Sequence, residues 1–171
     1  TDALPQLSLG LARVLVRRGA VALAAGLALD VGTSDATARS ARTHLRATRA
    51  SIPVELRVAP RPRAYLFARL APGFLRVDTS LDDMSSPATM SGDFSALSVD
   101  ASAGLAVRVT PDRGVVGAWI RADAGYSYAP SHALVLQPEL DDADKSKAGS
   151  LTLAPLAARG AFGRIGLAIT Y

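Results

Sequence analysis

The sequence predicts an all-β chain, an antiparallel, up-and-down β-barrel of about eight strands with a polar interior and an apolar exterior. Large apolar residues alternate with small or polar ones through most segments, the period-two signature of strands whose two faces meet different surroundings. The small-residue faces carry charges of both signs at mid-strand, Asp30, Asp100, Arg108 and Arg121 among them. Tight turns and long connections take turns along the chain, as a meander requires, and no long amphipathic helix pattern interrupts them.

Composition sets the bounds. The 171 residues fit one domain, residues 1–171, and 49% apolar against 20% charged residues excludes a disordered chain. The absence of cysteine removes a disulfide framework and thiolate metal sites. The formal charge of +4 comes mostly from arginine, with lysine only at Lys145 and Lys147. Such a balance fits anionic partners, or arginines that face carboxylates inside a barrel; the second fits the strand pattern better. Thr1, with no initiator methionine and no basic leader before an apolar segment, reads as the start of a mature or trimmed chain. Arg17-Arg18 followed by the apolar run 19–29 imitates a signal peptide. The run is internal, alternates large and small residues, and falls short of the about 20 apolar residues of a spanning helix.

Taken in order, Leu7, Leu9 and Leu11 alternate with Ser8, Gly10 and Ala12 in a first strand. Arg13 lands on the leucine face, so a bulge or strand end is expected there, before a tight turn at Arg17-Arg18-Gly19. The second strand sets Val21, Leu23, Leu27, Leu29 and Val31 against Ala22, Gly26, Ala28 and Asp30. A polar connection is expected over 32–42. The third strand places Ile52, Val54, Leu56 and Val58 opposite Ser51, Pro53, Glu55 and Arg57, with Pro53 marking an irregularity. The fourth, 64–77, has Leu66, Leu70 and Phe74 against Arg69, Ala71 and Gly73, while Tyr65 and Phe67 break the pattern. A connection over 80–93 leads to the fifth strand, where Leu97, Val99, Leu105 and Val107 oppose Ser98, Asp100, Ser102 and Arg108. The sixth, 116–128, sets Val116, Ile120, Tyr126 and Tyr128 against Trp119, Arg121 and Asp123. A long connection over 129–147, a weak seventh strand near 150–156 and a terminal strand over 162–171 complete the count. In the last, Ile165, Leu167, Ile169 and Tyr171 oppose Arg164, Gly166 and Ala168. Eight strands counted this way put Tyr171 at the same end as the three long connections.

The small-residue faces decide between a soluble and a membrane barrel. As a solvent surface they would be poor in Lys, Glu and Thr. As an interior they leave long arginines room to reach carboxylates, and eight strands enclose a space that side chains just fill. An unpaired ion there would cost several kcal/mol, so both signs are needed. The expected network comprises Asp30, Glu55, Arg57, Arg69, Asp100, Arg108, Arg121, Asp123 and Arg164, and Trp119 reads as a plug of the interior. Phe74, Tyr126, Tyr128 and Tyr171 lie on apolar faces near strand ends, as membrane-interface aromatics do. Tyr65, Phe67 and Phe162 fall on the opposite face.

The alternating strands and the terminal GLAITY resemble small bacterial outer-membrane barrels of the OmpA type. The resemblance implies an antiparallel barrel in a bacterial outer membrane. It also implies a terminal strand whose Gly166, Leu167, Ile169 and Tyr171 form the signal read by the outer-membrane assembly machinery. Its partners would be the lipid bilayer, that machinery, and lipopolysaccharide or another surface partner. The expected role is non-enzymatic, structural or surface-interacting, with no catalytic residues, cofactor or metal, and too narrow for a diffusion pore.

Two other readings remain open from the residues alone: a soluble barrel or sandwich binding a small apolar ligand, and an outer-membrane lipid-modifying enzyme. The latter would rely on Ser131, His132 and Glu139, which share one loop and lack a nucleophile-elbow pattern. Glu139, Asp141, Asp142 and Asp144 offer oxygen ligands but not the glycine and terminal glutamate of a calcium loop. Arg39, Arg42, Arg46 and Arg49 suit anionic headgroups better than nucleic acid, having few aromatics among them.

Overall fold

Period-two alternation gives a helix no stripe to bury, and every regular element among the described residues is a strand. The computed structural model describes residues 6–38, 41–61, 63–83, 89–110, 117–138, 150–152 and 159–170. The strands are β1 (Gln6–Arg18), β2 (Val21–Ala38), β3 (Ala41–Ser51), β4 (Val54–Arg61), β5 (Ala64–Asp83), β6 (Thr89–Arg108), β7 (Gly117–Tyr128), β8 (Val135–Pro138), β9 (Leu151–Thr152) and β10 (Gly160–Thr170). All pairings are antiparallel, in the order β1-β2-β3-β5-β6-β7-β10.

Ten strands replace the expected eight. β3 and β4 occupy one place, both lying between β2 and β5. They are parted at Ile52-Pro53, because Pro53 has no N–H for the ladder. The break is held by Ile52 N–H to the Pro72 carbonyl (2.9 Å) and Gly26 N–H to the Pro53 carbonyl (3.0 Å). Near Arg13 the register of β1 shifts between Val14 and Val16. Gly19, with φ of 57°, makes the turn into β2.

The connections expected over 32–42 and 80–93 are largely strand, since β2 runs to Ala38, β3 begins at Ala41, β5 reaches Asp83 and β6 starts at Thr89. Of the weak strand near 150–156, Leu151–Thr152 pair with β8 and residues 153–156 lie outside the described residues. β10 therefore follows β7 as the next long strand, from Gly160 opposite Ser127 to Thr170 opposite Gly117. That corrects the expected placement of the C-terminal end. Thr170 lies at the end of the sheet that carries the Gly19-Ala20 turn, away from the connections that follow β2, β5 and β7.

The two faces exchange character partway up the strands. In the half nearer the Gly19-Ala20 turn, the lower half, the outward residues are exposed and apolar (Leu29, Phe74 and Leu97 in one transverse row) while Glu55, Ser98 and Asp100 are buried on the inward face, with buried Asp30 at its upper boundary, level with Arg49 and Leu75. One row above Phe74, the outward residues become Thr48, Arg76 and Ser95, then Arg46, Asp78 and Asp93. The inward face there turns apolar. Leu75, Val77, Phe94 and Ala96 pack against Ala129, Leu134 and Leu136, which follow β7, with β8 pairing along the upper part of β6. The upper half thus has the polar-out, apolar-in arrangement usual for a β-structure in water, and the lower half has the reverse arrangement.

Candidate functional site: an arginine–carboxylate network

The inward face gathers charges from six places in the sheet, counting β3 and β4 as one. Arg121 on β7 reaches Glu55 on β4, although β5 and β6 stand between them, which requires a sheet curled with this face inside. Glu55 also receives the Arg57 Nε–H at 2.6 Å. Arg164 on β10 donates to Asp123 at 2.9 Å and stands 3.7 Å from Asp100. Arg49 on β3 donates to the Asp100 carboxylate, to the Ala71 carbonyl and to Ser98 Oγ (3.0 Å), and lies 3.7 Å from Asp30. The Asp30, Glu55 and Asp100 side chains are each only 6% exposed and Arg49 9%. At that burial the attraction between opposite charges has to offset the hydration the ions have lost.

Local sequence explains the crowding. Small residues beside the charges, such as Ala24, Ser102 and Gly104, leave the long side chains their space. At Gly104 a Cβ would stand 2.3 Å from the Ala122 carbonyl oxygen and 2.7 Å from the Phe67 ring, so only glycine fits. The inward aromatics Tyr65, Phe67 and Phe162 lie beneath guanidinium groups: Arg57 is 5.2 Å from the Tyr65 centroid, Arg121 4.3 Å from Phe67 and Arg164 4.3 Å from Phe162. Trp119 packs edge-on against Tyr65 at 5.1 Å, below the ions. Tyr65 and Phe67 are thus interleaved with Arg57, Arg121 and Asp123 on the inward face, and the apolar layer of the upper half lies above the network.

Asp30, Glu55, Arg57, Asp100, Arg121, Asp123 and Arg164 thus come together on one face. Arg121 and Asp123, two apart in sequence, have different principal partners, Glu55 and Arg164. Arg69 shares the face between Glu55 and Ser102, with Nε lacking a hydrogen-bond partner. Both Asp30 carboxylate oxygens also lack one. Arg108 lies lower, its Nε–H 3.4 Å from Thr110 Oγ1. Arg49 is the member that sequence reasoning missed. It shares the parity of Ser51, Pro53, Glu55 and Arg57, so extending that alternation backward finds it.

Phe74, Tyr126 and Tyr128 point outward, each about half exposed, while Tyr171 lies outside the described residues. On β10, Leu167 and Ile169 are outward and Gly166 has nothing within 4 Å of where a Cβ would stand. Arg42, His44 and Arg46 are exposed on the outside of the upper half; Arg39 lies outside the described residues. His132 stacks on Phe94 (centroids 5.6 Å apart) and its Nδ1 is 3.0 Å from the Pro130 carbonyl oxygen, whereas Ser131 is exposed. Glu139, Asp141, Asp142 and Asp144 lie outside the described residues.

At the top of β2, His44 Nδ1 meets Asp35 Oδ1 at 2.7 Å and Arg42 stands 4.0 Å away. The hydrogen bond to His44 holds the Asp35 carboxyl below its ordinary value of 3.8; burial opposes it, and the charges of His44 and Arg42 add to it. A carboxylate held low contributes stability above its ordinary pKa and withdraws it as pH falls through the lowered value. Exposure keeps that share small. Titration by carboxylate NMR is expected to place the Asp35 midpoint below 3.8, and His44→Ala to raise it; an Asp35 midpoint indifferent to His44→Ala would refute this pairing. No protein-family model, curated protein or solved structure matches the chain.

Proposed function

We propose that the chain forms a transmembrane β-barrel of the bacterial outer-membrane kind, with a non-enzymatic structural or surface-interaction role. The observation that carries this reading is the exchange of faces: an exposed apolar belt around an ionic interior, meeting at one transverse level a polar exterior around an apolar interior. Water tolerates the second arrangement and favours the reverse of the first. A bilayer with water above it accounts for both. On β6 and just past it the belt runs outward from Leu97 to Val109. That is about 40 Å of strand at about 3.3 Å per residue, and about 28 Å of height at a tilt of about 45°. The hydrocarbon core of a bilayer is about 30 Å thick.

Phe74, Tyr126 and Tyr128 lie at or near the upper margin of the belt, where interfacial aromatics belong. Thr170, at the end away from the longer connections, agrees with the OmpA-type arrangement, in which the terminal strand ends on the periplasmic side. In this reading the network closes the interior against a water column and fixes the barrel's shape. The upper half stands in water or among lipopolysaccharide headgroups, and assembly depends on β10.

The chain contains no cysteine, so single spin labels can be placed cleanly. A label at Leu105→Cys is expected to be reached by oxygen and shielded from a nickel chelate in lipid vesicles. One at Asp93→Cys is expected to behave oppositely. Equal chelate access at both positions, or a chain that stays folded and dispersed without detergent, would sink the membrane assignment.

A further inference from the structure

We infer that the seam between β1 and β10 takes one more polypeptide strand, antiparallel to both and joined to this chain by a hairpin. The inference rests on the membrane-barrel reading. Seven long strands follow one another as a meander once β3 and β4 are counted as one, so β1 and β10, its two edges, run parallel. Neither has a partner on its second edge among the described residues. Unpaired N–H and C=O groups are not tolerated facing hydrocarbon, so a spanning sheet has to close. An odd meander closed on itself would need a parallel seam, whereas one added strand keeps every pairing antiparallel.

The edges show the space such a strand would fill. Leu11 and Ile165 are 82% and 86% exposed, against 43% for Leu105 in the middle of the sheet. At Gly160 and Gly166 a Cβ would find nothing within 4 Å, in contrast to the crowded glycines of β6 and β7. A second copy does not fit. Two copies inserted with their polar halves on the same side differ by a rotation about the membrane normal, which leaves the β1 of one parallel to the β10 of the other. Every other long neighbour in the sheet is the next strand in sequence, so a hairpin continuous with the chain repeats the rule already in force. The added strand carries aliphatic residues outward, continuing the belt of Leu9 and Leu167. Inward it carries longer polar residues, because Ser8, Gly10, Ala12, Gly166 and Ala168 leave room there.

Leu9→Cys combined with Ile165→Cys, Leu167→Cys or Ile169→Cys tests the spacing in membranes of the cell that makes the whole polypeptide. With a strand between the edges the level pair stands about 10 Å apart, two strand spacings. Oxidation then joins none of the three pairs, and a bismaleimide about 10 Å long joins at least one. A disulfide in any pair would mean that the edges adjoin, and failure of both reagents would mean an open sheet; either overturns the inference. A photoreactive benzoylphenylalanine at Leu9 in the protein made by its own cell identifies the occupant. Capture of a peptide of the same polypeptide is expected; capture of lipid alone, a second copy or another protein overturns it. The Leu105 spin label reads the membrane assignment independently, so a barrel that passes there and fails here loses only the added strand.

Discussion

Arg49→Ala is expected to cost about 3–5 kcal/mol of unfolding stability, the loss typical when one member of a buried ion pair is removed and its partner stays charged. Arg49 holds four groups at once, the carboxylates of Asp30 and Asp100, the Ser98 hydroxyl and the Ala71 carbonyl. Alanine would leave two enclosed carboxylates facing each other; Asp100 would keep only the more distant Arg164, and Asp30 already lacks a hydrogen bond. The comparison that isolates charge is a triple variant, Arg49→Met with Asp30→Asn and Asp100→Asn. It makes more changes yet is expected to lose less than the single, because no ion is abandoned in the interior. Urea unfolding in lipid vesicles, followed through Trp119, the chain's one tryptophan, reads both. A single variant within about 0.5 kcal/mol of the parent, as at an ordinary surface site, would show that water reaches these carboxylates freely.

What the sequence made legible follows the same physics. Where a strand keeps one face apolar and the other small over ten or more residues, as in β2 below Gly32 or β6 above Ser95 in number, period two reveals both the strand and which side is which. Leu45, Ala47 and Phe94 were legible as part of no strand, and Val77 only as the end of the fourth. Along β3, β5 and β6 the apolar and polar faces trade places while parity continues unbroken, so the upper half reads as polar connection. Arg49 sits at that exchange and was grouped with Arg42 and Arg46, which point outward. Tyr65, Phe67 and Phe162 looked misplaced because the alternation assigns aromatics to the apolar exterior; contact with a guanidinium draws them inside. The ions themselves were legible by sign and parity, but their partners were not. Arg121 finds Glu55, 66 residues away, because curling of the sheet sets that distance and no local pattern records it.

Ala103→Arg is expected to cost about 2–4 kcal/mol in a bilayer, the penalty for a cation at the midplane on the lipid face of a barrel. Ala103 lies midway between Leu97 and Val109 on the outward face, in a shallow recess of about 650 Å³ lined also by Ala68, Ala101 and Ala124. Space is therefore not the obstacle. Ala103→Leu, which fills the same recess without charge, is expected to stay close to the parent. Ser95→Arg, outward on the same strand but above the belt beside Arg76, is expected to fall within about 1 kcal/mol, the value near the interface. The three variants share one strand and one face, so their order reports depth in the bilayer and not strand propensity. If water and not lipid covered the belt, Ala103→Arg would be an ordinary surface change of about 0.5 kcal/mol or less, and Ala103 and Ser95 would respond alike. A steep difference between the two arginines, with leucine neutral, is what an apolar solvent around the lower half requires.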